Sequence, residues 1–166
     1  VFMVRPTSVF EEIANYYETR GGEAYTIGEA VTQLAHACQC AYFADKAGYD
    51  EPTVVAALLH DIGHIMDDSL PKMSGNLGIK DHEILGGDKL KSLGFPDKTC
   101  EIVRRHVDAK RYLCFIDPSY YDKLSEASKG TLKQQGGIMT SEESKLFENS
   151  DPLFDTIIAM RSWDEK

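Results

Sequence analysis

Two histidines and a carboxylate fall within five positions of an otherwise apolar run: His60, Asp61 and His64 in "AALLHDIGHIMDD", residues 56–68. An unpaired carboxylate in a core costs several kcal/mol, so Asp61 must be paired, hydrogen-bonded or on a metal. Pro52 suits a first helical turn and good helix formers follow it, which predicts a helix through the segment with His60 and His64 on one face. The other histidines, His36, His82 and His106, also lie in helical patterns near apolar neighbours. Taken singly, each would be an ordinary hydrogen-bonded histidine, and Asp164, Glu29 and Lys110 would be surface charges. Their recurrence on interior faces argues otherwise. Imidazole with carboxylate suits iron, manganese or zinc. His36, His60, Asp61, His82, His106 and Asp164 exceed the needs of one ion, which predicts two, and Asp61 can bridge them with its two oxygens.

The elements that must position these groups are nearly all helical. "SVFEEIANYYETRGG" opens with Ser8 and Glu11 at capping-box spacing and stops at Gly21 and Gly22, with Phe10, Ile13, Ala14 and Tyr17 on one stripe. A second helix is predicted from about Gly28 to Lys46, with Val31, Leu34, Cys38 and Ala41 as its apolar stripe and Glu29, Gln33, His36 and Cys40 on another face. The third contains His60. Further helices are predicted over "KDHEILGGDKLKSLG", from Pro96, from Pro118 through "SEASKGTLKQQGG", after Thr140 and Ser141, and after Asp151 and Pro152. The loop "DDSLPKMSGNLGI" is rich in Gly, Pro, Ser and Asp and is expected at the surface. The fold class is therefore all-α, a helical bundle with the metal site in its interior.

At 166 residues with 42% hydrophobic content, the chain suits one domain, residues 1–166, with a sizeable core. No run of eighteen apolar residues occurs and "VFMVRPTS" is too short for a signal peptide, which predicts a cytoplasmic protein with no membrane partner. Cys38, Cys40, Cys100 and Cys114 lack zinc-like pairing and are expected to be reduced packing residues. A net charge of −9 argues against nucleic acid as a partner.

The order His36, His60 with Asp61, then Asp164, is similar to the HD-domain superfamily, and the intervening His82 and His106 resemble its two-metal branch. "IGEAVTQLAHACQCAYFADKAG", "HVDAKRYL", "QQGGIMTSEESKLFE" and "RSWDEK" resemble the mixed-valent diiron oxygenases acting on 2-amino-1-hydroxyethylphosphonate. The resemblance runs from about residue 26 to the end. It implies two iron ions, Fe(II)/Fe(III), one held by His36, His60, Asp61 and Asp164, the other by Asp61, His82 and His106. It implies catalytic and phosphonate-binding roles for His64, as an acid–base group, and for Lys110, with Ser128 and Thr131 of "SEASKGT" nearby and Glu29 facing the substrate's amine. Organophosphonate and O2 would be the partners, with C–P cleavage giving phosphate and glycine. Where the family has tyrosine immediately before its "IGE", this chain has Thr26, with Tyr25 one place earlier. Three alternatives remain open: the trimethylated substrate giving glycine betaine, with Tyr25 and Tyr112 beginning an aromatic cage; a metal-dependent HD phosphohydrolase; and a non-catalytic HD binding module.

Overall fold

The computed structural model describes residues 7–24, 31–149 and 152–165. Nine α-helices occur among them: α1 Val9–Arg20, α2 Gln33–Lys46, α3 Glu51–Leu59, α4 His82–Ser92, α5 Asp97–Ile116, α6 Pro118–Lys123, α7 Glu126–Gln134, α8 Ser141–Asn149 and α9 Phe154–Asp164. No strand occurs among the described residues, only isolated bridges at Ala24–Thr32 and Lys72–Ile79. No helix of the described residues is long and apolar enough to cross a membrane. The long α5 is the central pillar, with α3, α4, α8 and α9 against it and α2 behind α3 and α9. Leu59, Ile62, Leu90, Ile102, Val103, Ile157 and Met160 fill one hydrophobic core between them.

Local chemistry accounts for most boundaries. Ser8 and Glu11 form the expected capping box, each accepting the other's backbone N–H, at 3.1 and 2.8 Å. Tyr17 then ties α1 to α3 by donating to the Leu58 carbonyl at 2.8 Å. The first stripe is only partly inside, since Phe10 is exposed. In α2 the expected start near Gly28 falls outside the described residues, but Thr32 is extended and caps the helix through Ala35 N–H, so Val31 and Thr32 precede it. The apolar stripe assigned to α2 is also corrected: Leu34 and Cys38 face outward, and the buried face is Gln33, His36, Ala37, Cys40 and Ala44.

Three further corrections bear on the site. The helix holding His60 ends at Leu59, because Asp61 takes up φ −102°, ψ 11° and a 3-10 turn, Ile62–His64, follows. His60 and His64 therefore do not share a helical face. The segment after Pro118 is two helices, since Leu124 is extended and Ser125 caps α7 by accepting from Ser128 N–H. The loop of residues 67–79 is not simply superficial: Met73 and Ile79 are buried, and Gln134 on α7 clasps Ser74 with its amide, accepting from Ser74 N–H at 2.8 Å and donating to the Ser74 carbonyl at 3.0 Å.

The 3-10 turn lies directly on the start of α4. A Cβ at Gly63 would stand 2.1 Å from the His82 carbonyl oxygen, so only glycine permits the approach. Gly63→Ala is expected to destabilise the fold by about 1–3 kcal/mol, lowering the thermal midpoint by several degrees in a calorimetric scan. An unchanged midpoint would contradict the packing described.

Candidate metal centre and adjoining pocket

The break after Leu59 sends His60, Asp61 and His64 in different directions. His60 Nε2 meets His36 Nε2 at 3.2 Å, and His36 Nε2 stands 3.0 Å from Asp164 Oδ1 at the end of α9. Asp61 turns its two oxygens to opposite sides. Its Oδ2 is 3.4 Å from His60 Nε2, while its Oδ1 is 3.0 Å from His82 Nε2 and 3.4 Å from His106 Nε2. His82 and His106 face each other at 3.2 Å. Helices α2, α4, α5 and α9 and the turn after α3 thus bring all six expected ligands together, and all are deeply buried.

The tautomers fit cations rather than an internal hydrogen-bond network. A backbone carbonyl only accepts, so His60 Nδ1 must donate to Ala57 and His106 Nδ1 to Val103, each at 2.8 Å. That leaves each Nε2 as a lone pair aimed at the other ring nitrogens, an arrangement that repels unless a proton or metal ion lies between. Two groups of donor atoms lie within metal-sharing distance, one around His36, His60 and Asp164 and one around Asp61, His82 and His106. Cys40, expected only as packing, brings Sγ to 3.6 Å from His36 Nε2, but its thiol also donates to the Trp163 carbonyl at 3.6 Å.

Charge agrees with this assignment. Burial pushes the Asp61 and Asp164 carboxyls upward, yet His60, His106 and His82 around Asp61, and Arg161 with His36 and His60 around Asp164, hold both well below the usual range. His36 responds in the opposite sense: burial pulls it down, but hydrogen bonds to Asp164 and Cys40 leave it at about 9. The metal-free cluster therefore holds protons that cations would displace.

Next to this cluster is a cavity of about 360 Å³. It is lined by Asp61, Asp164, His82 and His106 and by Lys110, Ser128, Thr131, Arg161 and Gln135. Lys110 is buried and donates to the Thr131 hydroxyl at 2.9 Å, and burial followed by the charge of Arg161 pulls its ammonium down to about 8. His64 stacks on His82 with centroids 3.8 Å apart. Its Nδ1 accepts from Ile79 N–H at 3.0 Å, so the proton is on Nε2. Burial and the His82 charge bring its pKa down to about 3, so the imidazole is neutral. Gly78 is needed here, since it has φ +95° and a Cβ would press on His64 Cε1 at 2.6 Å.

The HD domain family matches residues 34–151. The chain belongs to the HD-domain family. It is 43% identical over 156 residues to an uncharacterized protein of Acanthamoeba polyphaga mimivirus, covering 93% of this chain and 70% of the relative. It is 41% identical over 158 residues to a [1-hydroxy-2-(trimethylamino)ethyl]phosphonate dioxygenase (glycine-betaine-forming) of Leisingera caerulea, covering 95% and 79%. It is 36% identical over 162 residues to a hydroxymethylphosphonate dioxygenase of Gimesia maris, covering 97% and 77%.

Sequence reasoning placed the ligands, Lys110, His64, Ser128 and Thr131 at this HD-domain site but missed Arg161 and Gln135. A signal for Arg161 existed, because it precedes Asp164 by one helical turn in "RSWDEK". Glu29, Tyr25 and Thr26 lie outside the described residues. Tyr112 is turned away from the cavity, donating to Glu148 at 2.8 Å and packing on Phe147 and Phe154.

Metal analysis after iron loading is expected to show that Asp61→Ala loses both ions and His106→Ala chiefly one. Retention of two ions by Asp61→Ala would remove it as the bridge. Because His36 is protonated in the metal-free protein up to about pH 9, loading at neutral pH should release protons, and metal affinity should fall with falling pH. Calorimetry in buffers of different ionisation enthalpy measures this; an identical heat in all of them would contradict it.

Proposed function

We propose that this HD-domain protein is an O2-dependent diiron oxygenase that cleaves the C–P bond of an α-hydroxyphosphonate. The observation that carries the reading is Asp61: its two oxygens face two imidazole groups, at the edge of a cavity that Lys110 and Arg161 also line. One ion would be held by His36, His60, Asp61 and Asp164, the other by Asp61, His82 and His106. Bound as an Fe(II)/Fe(III) pair, they would supply the redox capacity for oxygen chemistry that zinc lacks. The dioxygenase relatives support the same class of reaction.

The remaining work belongs to the protein's side chains. Lys110, a buried ammonium with no ion pair among the described residues, is a counter-charge for an anion. Ser128 and Thr131 add hydroxyls from α7, and His64 donates through Nε2–H without adding charge. Arg161 lines the same cavity, with Nη2 making no hydrogen bond among the described residues. Together they would grip a phosphonate and turn its hydroxyl-bearing carbon toward the ligand cluster. For 2-amino-1-hydroxyethylphosphonate the atoms balance as substrate plus O2 giving glycine plus phosphate. We assign the primary ammonium to Glu29.

The relative acting on a trimethylamino substrate favours a second reading, with glycine betaine as the product. Against it, no Phe, Tyr or Trp lines the described part of the cavity, and an aromatic cage is the usual receptor for a quaternary ammonium. Comparing kcat/KM for the amino and trimethylamino compounds decides between them, and a preference for the methylated substrate would reverse the assignment.

Phosphate release is expected in air and not under anaerobic conditions. Turnover of a phosphomonoester without oxygen would instead assign hydrolysis. Lys110→Ala should lower kcat/KM by roughly tenfold or more, the equivalent of one charge-assisted hydrogen bond. With the ammonium protonated below about 8 and neutral above it, kcat/KM of the unmodified enzyme should fall as pH rises through that value. A fall of the same size in Lys110→Ala would exclude Lys110 as its cause.

A further inference from the structure

The short helix α6 has no buried residue, so hydrophobic packing gives little reason for its position. Its Tyr120 supplies a reason. Arg161 Nε donates to Tyr120 Oη at 2.8 Å and stands 2.9 Å from Glu165 Oε1 as an ion pair, and the Tyr120 hydroxyl itself donates to Glu165. At the other end of the same guanidinium, Nη1 donates to Asp164 Oδ2. Because the guanidinium is planar, anchoring Nε and Nη1 fixes its rotation in a residue that lines the cavity and leaves Nη2 without a hydrogen bond among the described residues.

We propose that Tyr120 and Glu165 are positioning residues that hold Arg161 in the orientation for receiving a substrate's anionic group. Tyr120 touches neither the cavity nor a ligand. It acts through Arg161, whose side chain is 9% exposed, lines the cavity and pairs with Asp164. Without the phenol, Nε keeps only the ion pair with Glu165, a side chain that is 33% exposed, and the guanidinium gains freedom that anion binding must remove. The loss should appear in anion affinity, since Asp164 keeps its own contact with Nη1. α6 is then a brace for the anion site.

The inference rests on the proposed reading of the cavity as an anion site, but it can be tested without turnover. The iron-loaded protein is titrated with inorganic phosphate and, separately, with methylphosphonate, and affinity is read by calorimetry alongside metal content and the thermal midpoint. Tyr120→Phe is expected to weaken both anions roughly five- to tenfold, the worth of one ordinary hydrogen bond, with the metal content of the unmodified protein. In an Arg161→Gln background the same change should add nothing further. Glu165→Gln supplies a second variant of the brace with the same expected pattern should Tyr120→Phe fold poorly. Unchanged anion affinity in Tyr120→Phe, an equal loss in both backgrounds, or loss of metal in place of anion affinity would each overturn the proposal. If phosphonates bind in this pattern but are never turned over, the proposed function fails and the brace stands.

Discussion

The carboxylate of Asp61 is the constraint on which the rest of the molecule depends. Buried and ionised, it is stable only while positive charge or hydrogen-bond donors lie on both sides of it. Two imidazoles face one oxygen and two lie toward the other, and these come from α2, the end of α3, α4 and α5. Asp164 on α9 completes the first group through Asp164 Oδ1. The bundle is thereby tied at its centre by polar chemistry, and the apolar core packs around that centre.

Several local features follow from presenting this carboxylate. The helix must stop at Leu59, since continuing it would place Asp61 about 100° around the helix from His60 and direct the two to different neighbours. The tight turn that replaces it brings Gly63 against the His82 carbonyl, which seats α4 where His82 can reach Asp61 Oδ1. His60 and His106 are held by the same device, a ring N–H donated to a carbonyl three residues earlier on the chain. The backbone in this way fixes which nitrogen remains available to a metal.

The second layer is electrostatic. A chain with net charge −9 gathers Lys110 and Arg161, both buried, at one cavity, against the general sign of its surface. Lys110 loses hydration there, and its ammonium is easier to deprotonate because of it. Two buried cations are costly without a counter-charge and favourable with one, which is a physical basis for preferring an anion over a neutral analogue. The loop of residues 67–79, clasped to α7 through Ser74 and Gln134, holds Gly78 and Ile79 against His64 and so belongs to the same layer.

The sequence by itself determined the helical class, most helix ends and the metal-ligand candidates. Ser8 with Glu11, Pro52, Pro96 and Pro118 are local signals, and His, Asp and apolar residues at helical spacing show which faces cannot tolerate water. It was misleading where a decision depended on something distant in the chain. The α2 stripe through Leu34 and Cys38 was as apolar as the buried one, but only the position of α3 and α9 decided which face turned inward. Arg161 was missed because its surroundings come from distant segments, α6 bringing Tyr120 to it and α5 bringing Lys110 to the same cavity. The break after Leu59 was hidden for the same reason: helix propensity is a weak local preference, while the pull of Asp61 toward His82 and His106, and of Gly63 onto the backbone of α4, arises only when those helices are in place.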